Sequence, residues 1–165
     1  MPDLTHPSPH FNSRNTHPIR VLVLHSSAGP SDKSDLAWMM DPASKVSYHA
    51  LVGRNGSLYT LVDPKYRAWH AGVAEWNGVK DVNAVSLGVS FSNAHDGKEA
   101  LTPLQIAVML GAVEGWARTI PTLEAITTHR DIAPQRKSDP FKSVGFDFRS
   151  FQEAFQRGVA SRASF

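Results

Sequence analysis

The sequence predicts a single α/β domain with a central mixed β-sheet flanked by helices. Three observations carry that expectation. The apolar run IRVLVLH, residues 19–25, lacks polar alternation, which marks a strand buried on both faces and central in its sheet. Strand-like and helix-like segments then interleave along the chain, as an α/β fold requires. Asn55-Gly56 lies between two short strand-like segments; Asn-Gly supplies the positive φ angles of a hairpin turn, so part of the sheet is antiparallel.

The elements follow in order. Residues 1–18, MPDLTHPSPHFNSRNTHP, are polar and broken by proline, and read as a flexible N-terminal arm carrying His6, His10 and His17. After the strand at 19–25, SDKSDLAWMM reads as a short helix capped by Ser31 or Ser34 and stopped before Pro42. SYHALVG and SLYTLV form the hairpin, and AVSLGVSFS is a further strand. Thr102-Pro103-Leu104-Gln105 opens a helix in which Thr102 caps, Pro103 fits the first turn and Gln105 completes a capping box. That helix runs to about Thr119, ahead of Pro121. LEAITTH is another strand, and FRSFQEAFQRG a closing helix with Gly158 as its stop. The folded domain is thereby expected over 19–158, with 159–165 as a tail.

Composition narrows the chemistry. With 165 residues, 41% hydrophobic and 19% charged, the chain can bury one globular core. It contains no cysteine, so a thiolate nucleophile, a thiolate ligand and a disulfide framework are excluded. A net charge of +2, without a Lys/Arg cluster, argues against nucleic acid as a partner. The N-terminal stretch has no apolar segment of a secretory signal and nothing later approaches a membrane span, so synthesis in the cytoplasm without a signal peptide is expected; a monomer is the default state.

Two histidines end strands: His25 after VLVL and His129 after AITT. Strand ends of α/β sheets hold ligand and catalytic groups, because the strand fixes them while the loop beyond leaves room for substrate. Asp139 follows in Lys-Ser-Asp-Pro, where Pro140 biases it to extended backbone, so Lys137 and Asp139, two apart, face one site. Two histidines and a carboxylate leave a fourth tetrahedral position open, the arrangement of a catalytic zinc site. Lys137 beside one zinc ion suits a reaction in which negative charge develops on a carbonyl oxygen. His70, in RAWHAG, is an alternative third ligand or a substrate contact from the rim. Of Tyr48 and His49 only one can face a cleft, and Tyr48 is favoured, its hydroxyl orienting or deprotonating an attacking water. Trp69 and Trp76 are candidate substrate platforms, Trp38 and Trp116 candidate core residues, and His95 a solvated loop residue.

Taken together, LHSSAG, SYHALVGRNGSLYTLV, AWHAG, NAVSLGVSF and THRDIAPQRKSDP, in this order and spacing, resemble the zinc-dependent N-acetylmuramoyl-L-alanine amidases, a superfamily that includes phage endolysins, muropeptide-recycling amidases and peptidoglycan recognition proteins. The likeness covers roughly residues 19–148. It implies a mixed sheet with a zinc cleft and cleavage of the amide between N-acetylmuramic acid and L-alanine of peptidoglycan or muropeptides. It places the ligands on His25, His129 and Asp139, the oxyanion-stabilising lysine on Lys137, the water-assisting tyrosine on Tyr48, and His70 near substrate but outside the metal's immediate ligands.

One departure stands out. Recycling members carry a glutamate where this chain has Ser90, in Leu87-Gly88-Val89-Ser90. A serine cannot act as a carboxylate base, which inclines the sequence toward a bacteriolytic, endolysin-like antimicrobial role. The alternatives are a cytoplasmic muropeptide-recycling amidase and a non-catalytic peptidoglycan-binding module, the latter disfavoured by retention of all three ligands.

Overall fold

The computed structural model describes residues 4–162. The elements are β1 (Phe11–Ser13), β2 (Val21–Ser26), α1 (Asp32–Met40), β3 (Ala50–Val52), β4 (Leu58–Thr60), β5 (Tyr66–Ala68), α2 (Val82–Val85), β6 (Ser86–Phe91), α3 (Pro103–Thr119), β7 (Ala125–Thr128), α4 (His129–Ile132) and α5 (Phe148–Ser161). Five strands form one mixed sheet in the order β4-β3-β6-β2-β7, parallel except for β4. The fold class expected from the sequence is the one observed.

β2 is interior to the sheet and fully buried, as its apolar run dictates. Its alternation divides the molecule. Leu22 and Leu24 join the core under α3 and α5, with Met109, Val113, Phe151 and Phe155. Val21 and Val23 face the other side, against Ala71, Trp76, Val82, Val85 and Ile132. His25 continues the second series, so the strand's period of two points it away from the two long helices.

The caps follow their chemistry. Ser31 caps α1 and Ser34 completes its box; Thr102 and Gln105 do the same for α3. At the hairpin only Gly56 takes a positive φ, +81°, and Gly53 N–H donates to Ser57 O, so the turn is longer than the two-residue turn that Asn-Gly suggests. α5 runs through Gly158 to Ser161. Gly158 is a contact residue here: a Cβ would lie 2.3 Å from the Glu114 carbonyl oxygen of α3. The helix continues because glycine there serves close packing instead of a left-handed cap.

The N-terminal arm differs most from expectation. From residue 5 onward it is docked, with β1 antiparallel to β5 and Ser8, His10 and Arg14 buried. Its polar side chains are spent on the domain: Ser8 Oγ donates to Met39 O (2.6 Å), and Ser47 Oγ donates to His10 O (2.6 Å). The Arg14 guanidinium donates to the carbonyls of Pro64, Asn83, Ala84 and Ser86. Prolines stiffen an arm that bonds to the domain from Thr5 to Arg14.

Candidate metal centre and cleft

A cleft of about 510 Å³ opens at the carboxyl ends of β2 and β7. His25 comes from β2, and its register partner on β6 is Ser90. Thr128 ends β7 and caps the short turn α4, its hydroxyl accepting from the Asp131 amide, so His129 starts a helical turn instead of finishing a strand. The chain then folds back: Lys137 N–H donates to Ala133 O (2.9 Å) and Arg130 N–H to Asp139 O (3.0 Å). That return brings Asp139 against His129.

His25, His129 and Asp139 converge. Nδ1 of His25 lies 3.0 Å from Nδ1 of His129, Asp139 Oδ2 lies 3.2 Å from the His129 nitrogen, and the same oxygen lies 3.4 Å from the His25 nitrogen. Burial, followed by the neighbouring His129, pushes His25 down to about 4, so it is neutral at pH 7. Burial acts to raise the Asp139 carboxyl, but hydrogen bonds with His129 and His25 outweigh it and hold the group well below the usual carboxylate range. With their protons on the distal nitrogens instead, the two neutral imidazoles would turn lone pairs toward the carboxylate, an arrangement that a cation between them relieves. Tetrahedral zinc, with Zn–N of about 2.0–2.1 Å, spaces its ligand atoms about 3.3 Å apart, which is the scale of these separations. The donor set fits zinc.

The distal nitrogens are held as well. His129 Nε2 donates to Ala71 O (3.0 Å), which leaves its Nδ1 with a free lone pair. His25 Nε2 lies 3.0 Å from His70 Nδ1, and a cation on His25 Nδ1 would make that Nε2 the donor of the pair. His70 passes the chain on, Nε2 to Ser86 Oγ (2.8 Å). Both of its ring nitrogens are thus engaged, and it braces His25 while also lining the cleft. Gly88 makes the space: a Cβ there would lie 2.3 Å from His70 Cγ.

Lys137 lines the cleft half-buried, its charge acting on His25. Tyr48 also lines it, with its ring centroid 5.0 Å from that of His25, while His49 points away to accept from the Gly88 N–H. Burial, with Asp139 next in effect, pushes the Tyr48 hydroxyl up, which favours its protonated form as a hydrogen-bond donor. Ser90 is fully buried and its hydroxyl donates to the Phe91 carbonyl.

The tryptophans are sorted differently from expectation. Trp69 lines the cleft, its Nε1 donating to Asn12 Oδ1 (3.0 Å). Trp76 does not; its backbone bridges Val79, which turns the indole into the core with Val82 and Val85. Trp38, expected in the core, is 52% exposed and lines the cleft instead. His95 is also a lining residue, its Nε2 accepting from Lys142 N–H (3.1 Å), and so ties its loop to the one carrying Asp139.

Comparison with known proteins places this geometry. The family model described as N-acetylmuramoyl-L-alanine amidase matches residues 15–142. The N-acetylmuramoyl-L-alanine amidase AmiD of Escherichia coli (strain K12) is 36% identical over 137 residues, covering 74% of this chain and 49% of AmiD, so the chain spans about half of that relative's length. A solved complex of E. coli AmiD with anhydro-N-acetylmuramic acid-L-Ala-D-γ-Glu-L-Lys superimposes with a TM-score of 0.73 at 29% identity, over 87% of this chain and 60% of that one. The 1,6-anhydro-N-acetylmuramyl-L-alanine amidase AmpD of E. coli (strain K12) is 29% identical over 165 residues, covering 88% of each. The Ph2119 endolysin of a Thermus scotoductus bacteriophage shares the fold, with a TM-score of 0.60 at 17% identity over 92% of this chain and 93% of that one.

Proposed function

The chain belongs to the N-acetylmuramoyl-L-alanine amidase family, and from that premise we propose that it hydrolyses the amide between N-acetylmuramic acid and the L-alanine of its stem peptide. The observation that carries the reading is the convergence of His25, His129 and Asp139 at the end of an open cleft. These three would hold one zinc ion. Bound there, zinc supplies Lewis acidity, polarising a carbonyl and acidifying a water. The chain's own residues do the rest. Lys137 faces the negative charge that grows on the carbonyl oxygen, worth most in a cleft that excludes water. The Tyr48 hydroxyl donates a hydrogen bond that orients the attacking water. His70, with Ser86 behind it, would accept a hydrogen bond from His25 Nε2 while His25 Nδ1 faces the ion.

The substrate form we favour is a soluble muropeptide ending in a 1,6-anhydro sugar, with a stem peptide of the L-Ala-D-γ-Glu-L-Lys kind. A 1,6-anhydro ring ties C1 to the oxygen on C6 of the same sugar, so that sugar ends a glycan and marks a released fragment. The relative that matches over most of both lengths is named for that sugar, whereas the likeness to endolysins is one of fold alone. This replaces the lytic role suggested by Ser90 with the recycling alternative. Ser90 still offers no carboxylate, so proton handling falls to the water and its hydrogen-bonding neighbours.

The test is mass spectrometry of products from zinc-loaded protein given either anhydromuropeptide or intact peptidoglycan, with and without chelator. The expected outcome is release of peptides beginning with L-alanine, faster on the soluble fragment and abolished by chelation. Zinc-replete protein that binds either substrate without cleaving it would favour the non-catalytic module, and faster release from intact peptidoglycan would restore the lytic reading.

A further inference from the structure

We propose that Lys45 selects for an acidic stem peptide, pairing with the free α-carboxylate of a γ-linked D-glutamate; the inference rests on the amidase reading above. Three cationic side chains line the cleft: Lys45, Arg136 and Lys137. Among the described residues the one carboxylate lining it is Asp139, which belongs to the candidate metal centre. Two of the cations are committed. Arg136 spends its guanidinium on the Ala71 carbonyl (2.8 Å) and twice on that of Val73. Lys137 sits beside the metal ligands, where the reacting carbonyl must lie. Lys45 has no hydrogen-bond or ion-pair partner among the described residues, and it lines the cleft together with Trp38 and Val46.

Its position is fixed by an unusual backbone. Lys45 has φ +53°, a left-handed conformation that costs a non-glycine residue about 1–2 kcal/mol. The docked N-terminal arm sustains it from both sides. His10 Nε2 lies 2.8 Å from the Asp41 carbonyl and 3.1 Å from Ser44 Oγ, and Ser47 Oγ donates to the His10 carbonyl. The turn is therefore braced at 41, 44 and 47, with Lys45 at its apex. Strain retained at a braced turn beside a reaction centre points to a side chain placed for a ligand.

The ligand's chemistry matches. A D-glutamate joined through its γ-carboxyl keeps its α-carboxylate free, one residue beyond the L-alanine whose amide is cut. A substrate with its scissile bond at His25 and Lys137 presents that charge a residue's length along the cleft, and an ammonium pairs with it where the α-amide would offer no charge.

The test compares kcat/KM on the L-Ala-D-γ-Glu-L-Lys muropeptide and on its α-amide for wild type, Lys45→Met and Lys45→Arg. The acid should be preferred by roughly tenfold in wild type, as for a charge-assisted hydrogen bond, and by Lys45→Arg, while the ratio collapses toward one in Lys45→Met. A wild-type ratio near one, or a Lys45→Met ratio equal to wild type, overturns the proposal. Calorimetric affinities of the two free stem tripeptides, which need no hydrolysis, separate this from failure of the amidase reading. Acid preference present in wild type and lost in Lys45→Met supports Lys45 even if no bond is cut; equal affinities sink it.

Discussion

His49 is enclosed between the Arg14 guanidinium, 2.9 Å from its Nε2, and the Gly88 amide, 3.0 Å from its Nδ1. Burial, then the charge of Arg14, pushes it down to about 3. An unfolded histidine titrates near 6.5, so between those values the unfolded chain binds a proton that the folded one refuses. A depressed folded pKa contributes stability that is complete above about 6.5 and is lost as pH falls toward about 3, with a slope of about 1.4 kcal/mol per unit for one proton. His49→Gln should flatten the pH dependence of the urea midpoint between pH 6.5 and 4 by about one proton; an unchanged slope would remove His49 as its source. At this scale the sequence carried the grouping of His25, His129 and Asp139, since the two histidines directly follow strand-like runs and Asp139 lies two residues after Lys137, ahead of Pro140. It did not carry His70 to Ser86, because that contact joins residues 16 apart through a space opened only by Gly88. The tryptophans misled for a related reason: Trp38 and Trp76 differ in environment, and nothing local to either tells which way the indole turns.

At the scale of elements, strong local chemistry was legible and cooperative docking was not. The β2 run and the Thr102–Gln105 box needed no partner to be recognised. β1, β5 and α2, each three or four residues long, exist because something else holds them. For the N-terminal arm that holder is Arg14. Its guanidinium is buried, with carbonyl oxygens and His49 for partners and no carboxylate among the described residues, and burial, then Arg67, pushes it down to about 10, which still leaves it charged at neutral pH. Arg14→Met removes the donors of four carbonyl acceptors at once: Pro64, Asn83, Ala84 and Ser86. The expected loss is on the order of 3 kcal/mol in urea unfolding, since buried acceptors stripped of their donor cost about 1–3 kcal/mol each unless water reaches them. A change below about 0.5 kcal/mol would mean that water replaces the guanidinium and that the arm is not held from this point.

For the whole molecule, the candidate metal centre is where separate parts of the chain are drawn together. His25 belongs to an interior strand, His129 to the turn after the edge strand β7, and Asp139 to the loop that Arg130 and His95 pull back across the cleft. In the unfolded chain the first and last of these are 114 positions apart, from 25 to 139, so an ion held by all three binds the folded form almost alone. Mass action then makes the ion a stabiliser of the entire domain. With free zinc at a hundred times its dissociation constant, the gain is about 2.7 kcal/mol, or roughly 5–10 °C in Tm for a domain of this size. Chelation should lower the calorimetric Tm of wild type by that amount, and zinc should restore it. His129→Ala keeps the fold's sheet but loses a ligand, so its Tm should no longer respond to zinc. A variant that still gained the full shift would place the stabilising ion elsewhere and detach this cluster from the chemistry proposed for it.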